Sequence, residues 1–172
     1  MRPGPLVPQF GRVFCSGEQT NLCVLVYQLF FGYPTFLDSK MMPVLACTAP
    51  EGFSSKMLLH YHQLIKTGEF KRYDYGFFEN KAKYGQHSAP SIDLSNVTAP
   101  VALFYAPNDL NAPIRKVRQL HDALPNVQMM YEIKNKYFNH ADFIDSDNRD
   151  VLFNAPLISY LNSVVHSSAD GS

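Results

Sequence analysis

The sequence predicts an α/β fold in its second half. Three observations carry that prediction: two short apolar runs at residues 97–105 and 127–133, a stretch of helical periodicity between them, and a further helical stretch after the second run. Strand, helix, strand, loop, helix is the order that sets neighbouring strands parallel, joined by a right-handed crossover. The style of the chain changes near Pro90: before it, short segments crowded with aromatic residues are broken by Gly and Pro.

In the first half, residues 22–31 read as a helix that is apolar nearly all round, and hence buried. Residues 54–67 form the clearest helical pattern, with Met57, Leu58, Tyr61, Leu64 and Ile65 on one face. Ser54 or Ser55 is placed to cap it and Gly68 to stop it. In the second half, residues 97–105 are an apolar run bounded by turn residues, as a buried strand requires. Residues 112–124 put Ile114, Val117, Leu120 and Leu124 on one face, with Arg115, Lys116, Arg118 and Gln119 between them, and Pro125-Asn126 ends the segment. A second strand follows over 127–133, then a terminal helix over 148–165 with Asp147 or Asn148 as N-cap.

Bulk properties exclude several function classes. The chain's 172 residues suffice for a domain with its own core, and 46% apolar content is ordinary. Fifteen basic residues balance fifteen acidic ones, so no net field draws nucleic acid or an anionic membrane. Short basic-aromatic stretches at 70–73 and 81–84 are too little to reverse that. The longest apolar stretch, residues 24–37, is interrupted by Gln28, Gly32 and Pro34 and is too short to span a bilayer. Residues 1–14 hold three prolines and lack the apolar core of a secretory signal, so the chain reads as soluble or as a fragment targeted from elsewhere.

Metal and cofactor sites are not expected. His60 and His62 fall on different helical faces, and no H-E-x-x-H, C-x-x-C or phosphate-loop pattern occurs. Three cysteines are an odd number. A bridge between Cys15 and Cys23 would close a short loop containing Gly17, leaving Cys47 free; three buried thiols are the alternative. Asn96-Val97-Thr98 is an N-glycosylation sequon, and with a disulfide it would lean towards an oxidising compartment.

Open α/β sheets place their chemistry in loops at the C-terminal ends of strands. Two loops qualify, residues 106–111 and 136–143, and they carry Asp109 and His140. A carboxylate that fixes an imidazole is two-thirds of a hydrolase triad, and α/β-hydrolases order the triad Ser, Asp, His. The alternative is that Asp109 caps a turn and His140 sits idle in a loop. Asp142, two residues from His140, is better placed to anchor the loop than to orient the ring. A nucleophile is missing: no G-x-S-x-G occurs, and Gly52-Phe53-Ser54-Ser55-Lys56 fails at its last position. No Gly-rich segment supplies an oxyanion hole either.

An ordered set of segments resembles the gastric and lysosomal acid lipases and their insect relatives. Pro50-Glu51-Gly52, then Ser55 and Met57-Leu58-Leu59-His60-Tyr61-His62-Gln63, resemble that family's P-A-G, S and N-M-L-H-W/Y-x-Q. Lys66-Thr67-Gly68-Glu69-Phe70 with Tyr73-Asp74-Tyr75-Gly76, then Lys83-Tyr84-Gly85-Gln86 and Ala89-Pro90, continue the likeness. Asn108-Asp109-Leu110 resembles the segment of the triad Asp, and Phe138-Asn139-His140-Ala141-Asp142-Phe143 that of the triad His. The resemblance spans roughly Cys15 to Leu161.

The resemblance implies the C-terminal part of an α/β-hydrolase fold. Residues 1–90 would be most of a helical cap, 91–165 the last two core strands with their helices, and 166–172 a flexible tail. It implies Asp109 as triad acid, His140 as base and Cys15–Cys23 as a cap disulfide, one residue closer than in the family. It further implies a neutral lipid ester as substrate, no cofactor, and a secreted or lysosomal setting. The elbow, the oxyanion loop and the earlier strands would precede Met1, so the chain alone is expected to be inactive. A non-catalytic lipid-binding or interaction module derived from a lipase is the alternative. Departures from the family pattern are Pro107, Asn111-Ala112-Pro113, Ala141 and the lack of Trp after Phe143-Ile144.

Overall fold

The computed structural model describes residues 13, 15–16, 20–32, 43–45 and 54–169. Cys47 and residues 50–53 of the expected cap lie outside them.

Among the described residues, helices α1 (Thr20–Phe31), α2 (Ser55–Thr67) and α3 (Phe77–Tyr84) precede the sheet. Helix α2 starts after an extended Ser54, whose side chain makes no capping bond, and stops at Gly68. There φ is +71°, and the Gly68 N–H donates to the Leu64 carbonyl at 2.9 Å. An L side chain resists that left-handed conformation. The segment after α2 is tied back by Gln63, which grips the Asp74 backbone at both ends: Nε2 donates to the carbonyl at 2.8 Å and Oε1 accepts from the N–H at 2.9 Å. Helix α3 was not anticipated. Its one buried residue, Asn80, donates to Asp74 and to the His87 carbonyl and accepts the Tyr75 N–H. Polar clasping rather than an apolar stripe holds it.

Strands β1 (Val101–Tyr105) and β2 (Val127–Glu132) pair in parallel, and α4 (Ile114–Ala123) connects them. From Ala102 opposite Met129 to Tyr105 opposite Glu132 the register is continuous. The α/β expectation therefore holds as a two-stranded parallel sheet among helices. Strand β1 begins four residues later than the apolar run suggests. A 3₁₀ turn, Leu94–Asn96, occupies the preceding chain, with the Asp93 carboxylate accepting the Ser95 N–H, and Pro100 has no N–H for a ladder.

After β2 come a short α5 (Asp142–Asp145), a π turn (Asp150–Asn154) and α6 (Ala155–Ala169). The last helix was expected from residue 148 with Asp147 or Asn148 as cap. Instead, Ser146 Oγ accepts the Asn148 N–H at 3.2 Å, and the wider turn comes first. Helix α6 continues to Ala169, into the stretch expected as tail.

Among the described residues, two apolar clusters hold the fold. Ala106, Ile133 and Phe138 are buried at the C-terminal ends of the strands, against Tyr131, Phe143, Leu152 and Phe153. Phe138 meets Phe143 edge-on at 5.0 Å between centroids, and Phe143 meets Phe153 likewise at 4.9 Å. The second cluster joins Cys15, Cys23 and Tyr27 to Ala141, with Val24, Phe31 and Leu45 packed around it. Cys15 and Cys23 form a disulfide. Helix α1 is not buried all round: Cys23 and Tyr27 face inward, whereas Leu22, Leu25, Val26 and Leu29 are exposed, Leu29 by 72%. Met57, Leu58, Tyr61 and Ile65 on α2 are exposed too. Hydrophobicity marked both helices correctly but not the extent of their cover.

Candidate functional site

The loops after β1 and β2 lie side by side. The Asn108 N–H donates to the Phe138 carbonyl at 3.2 Å, and its side-chain amide donates to the Tyr137 carbonyl at 2.9 Å. Buried Ala106 and Phe138 anchor the two loops in the same apolar cluster. Their tips therefore share one sheet edge.

Asp109 is buried at that edge. Its Oδ1 accepts the N–H groups of Asn111 and Ala112, each at 2.8 Å. Its Oδ2 lies 2.9 Å from His140 Nδ1. An ionised carboxylate can only accept, so the proton in that contact belongs to Nδ1 and a neutral ring leaves Nε2 bare. The His140 side chain is 48% exposed, so this outer edge faces an accessible space.

A rigid turn presents His140. Asn139, fully buried, uses Oδ1 to accept the N–H groups of Ala141 at 2.9 Å and Asp142 at 3.1 Å. Its own N–H donates to Asp142 Oδ2 at 2.8 Å. Asp142 thus anchors the loop, as its position suggested. Burial pushes the Asp142 carboxyl above its ordinary range, with Asp145 adding and the Asn139 N–H opposing. Burial likewise raises Asp145, against the lowering influence of Tyr27 and Arg149. The Tyr27 hydroxyl is buried facing Asp145 without a well-formed hydrogen bond. Its pKa is pushed up, first by burial and then by Asp145 and Asp142.

Helix α1 completes the arrangement. The Phe31 ring lies nearly parallel to the His140 imidazole, 4° between planes and 6.4 Å between centroids. Gly32 follows with φ +98°, and a Cβ there would sit 2.7 Å from the Asn108 carbonyl oxygen and 3.3 Å from Asn139 Cβ. In the sequence Phe31 and Gly32 carry no assigned role, and Asn139 appears only within the family segment around His140. The only local signal was a glycine interrupting an apolar run.

Of the residues singled out in the sequence, Asp109 and His140 come together, and Cys15 pairs with Cys23. Asn96 is exposed on the 3₁₀ turn, on the chain leading into β1. His60 contacts the Lys71 carbonyl, and His87 stacks on Phe77 at 3.8 Å. Among the described residues no three His, Cys, Asp or Glu side chains converge as metal ligands, and no helix is long and apolar enough to cross a membrane.

A parallel strand pair with a connecting helix, and with polar loops at one edge, is a partial α/β architecture. Sequence comparison adds the relationship. The chain is 34% identical to Lipase 3 of Drosophila melanogaster over 75% of its length, covering 33% of that protein. It is 37% identical to Lipase 1 of the same species over 77% of its length, covering 31% of that protein. It is 34% identical to gastric triacylglycerol lipase of Bos taurus over 83% of its length, covering 36% of that protein. The chain is a homologue of the acid lipase family over this stretch, and spans about a third of the length of these relatives. No protein-family model matches it.

Proposed function

We propose that the chain carries the acid and base of a serine-dependent ester hydrolase acting on neutral lipid esters, with Asp109 as acid and His140 as base. The observation that carries this reading is the 2.9 Å contact from Asp109 Oδ2 to His140 Nδ1, with Oδ1 held by two backbone N–H groups. In such a pair the carboxylate fixes the tautomer and stabilises the imidazolium, while Nε2 takes the nucleophile's proton. The substrate class follows the relatives' names, one of which specifies a triacylglycerol. Residues 1–90 correspond on this reading to a cap, and residues 91–165 to the end of the catalytic core. A secretory setting is supported by the Cys15–Cys23 disulfide and the exposed Asn96 sequon.

These 172 residues contain no G-x-S-x-G elbow, so on this reading they hydrolyse no ester unaided. A base without a nucleophile or oxyanion donors has little to act with, since one lost donor alone costs roughly 10²–10³ in rate. A second reading, a lipid-binding module without catalysis, is favoured by the exposed apolar residues of α1 and α2.

Two measurements test the assignment. Turnover of a short-chain nitrophenyl ester by the chain and by His140→Ala is expected at background for both. Activity that His140→Ala abolishes would mean that a serine of this chain is the nucleophile. Exchanging the matched stretch into fruit-fly Lipase 3 is expected to leave an active chimera that loses roughly 10⁴-fold or more with His140→Ala. A chimera equally active with and without His140 overturns the catalytic role and leaves the binding module.

A further inference from the structure

We propose that Phe31 and Gly32, at the C-terminal end of α1, are positioning residues that hold the His140 imidazole on Asp109. The inference rests on the acid–base reading above and extends the site to a third element.

Three observations meet at this point. The approach of α1 to the loops is closer than any side chain allows: a Cβ on Gly32 would lie 2.7 Å from a backbone oxygen, that of Asn108, which cannot swing aside. The φ of +98° independently disfavours any L side chain there. Asn108 bonds to both Phe138 and Tyr137, and Asn139 is the residue before the base, so Gly32 touches both loops where they are tied together. The preceding Phe31 lays its ring parallel to the imidazole at an offset typical of aromatic pairs.

Asp109 alone does not fix His140. One hydrogen bond at Nδ1 leaves the ring free to swing about that contact, and its side chain is about half exposed. A parallel neighbouring ring restricts the plane of the imidazole, and hence the direction of Nε2. Helix α1 is itself tied to Cys15 by the Cys15–Cys23 bridge and packs through Cys23 and Tyr27 against Ala141, while within the helix Tyr27 meets Phe31 at 4.9 Å between centroids. The chain of contacts runs from the disulfide through Tyr27 and Phe31 to the base. A shift of about 1 Å at such a base is enough to cost a hydrolase roughly 10²-fold.

The test reads the imidazole itself, independently of ester turnover. Nitrogen-correlated NMR of the chain at mildly alkaline pH, where an ordinary imidazole is neutral, reports which nitrogen holds the proton. In the parent, His140 is expected in the Nδ1–H form. If the parent lacks it, the Asp109–His140 reading falls, and this proposal with it. Given the Nδ1–H form, Gly32→Ala and Phe31→Leu are each expected to shift His140 towards the mixed tautomers of a free imidazole, with Phe31→Tyr retaining the parent pattern. The ring signals of His60 and His87, which bond to the Lys71 and Phe77 carbonyls, report the fold and are expected to stay in place. An unchanged His140 pattern in Phe31→Leu overturns the role of the ring. An unchanged pattern in Gly32→Ala overturns that of the close approach. Movement of all three histidines together in either variant reduces that residue to a general structural one.

Discussion

Two backbone N–H groups hold one Asp109 oxygen and an imidazole takes the other, so the carboxylate is oriented by the loop that carries it. Asn139 does the equivalent for His140, closing the turn from both sides. Asn139→Ala would strand the buried N–H groups of Ala141 and Asp142, each worth about 1–3 kcal/mol when unsatisfied. The expected loss is about 2 kcal/mol or more, read as a lower urea midpoint with an unchanged slope. A loss below about 0.5 kcal/mol would mean that water or a rearranged turn replaces Asn139. Asp109 and His140 were legible because each follows a strand-like run in a polar loop. Asn139 was legible only as part of a family segment, because a side chain that bonds its own backbone leaves no periodic trace. Phe31 and Gly32 act through space, and nothing in their own segment points to residues 108 and 140.

Helix α1 shows the same division between local and distant information. Its residues announce a helix, and Cys23 and Tyr27 fall one turn apart on the inward face. Which face turns inward depends on Cys15 and on Ala141, more than a hundred residues away, and the expectation of burial all round failed there. Helix α3 escaped notice because its one buried contact is polar, and the π turn before α6 because widened turns have no sequence period. Helix α2 and both strands were legible to within a few residues at their ends. The bridge is the testable part of α1. Its half-cystines are eight residues apart, a short loop, so a Cys15→Ser, Cys23→Ser double variant should lose about 2 kcal/mol. Because the bridge anchors α1, amide hydrogens of α1 should exchange faster while those of β1 and β2 keep most of their protection. Equal acceleration in α1 and the strands would show that the bridge stabilises the whole fold rather than this helix.

Across the whole molecule, α1 and the α5 segment meet around Ala141, and the carboxyls of Asp142 and Asp145 lie at that junction, each raised more by burial than its neighbours lower it. Asp142 and Asp145 both have their pKa raised, chiefly by burial, so the folded chain holds their protons more tightly than the unfolded chain does. Stability from this source is fully present below the ordinary carboxyl value of 3.8 and is lost as pH rises through the raised folded-state values. Asp74 and Asp93 act in the opposite sense. Hydrogen bonds lower them, Asp74 chiefly through the Gly76 N–H and Asp93 chiefly through the Ser95 side chain, and their contribution is lost as pH falls towards and below the ordinary value. Both of these are exposed, where solvent screening leaves such effects small. The two senses also occupy different ranges: the exposed pair matters below the ordinary carboxyl value, and buried Asp142 with half-buried Asp145 above it. Between about pH 4 and pH 7 Asp142 and Asp145 should therefore govern, and the thermal midpoint should fall as pH rises. The double variant Asp142→Asn, Asp145→Asn keeps an oxygen for the Asn139 N–H but cannot ionise, so its midpoint should be nearly flat over the same range. Circular-dichroism melts of both proteins across this range decide the matter. Parallel curves for parent and variant would place the origin of the pH dependence elsewhere than in this junction.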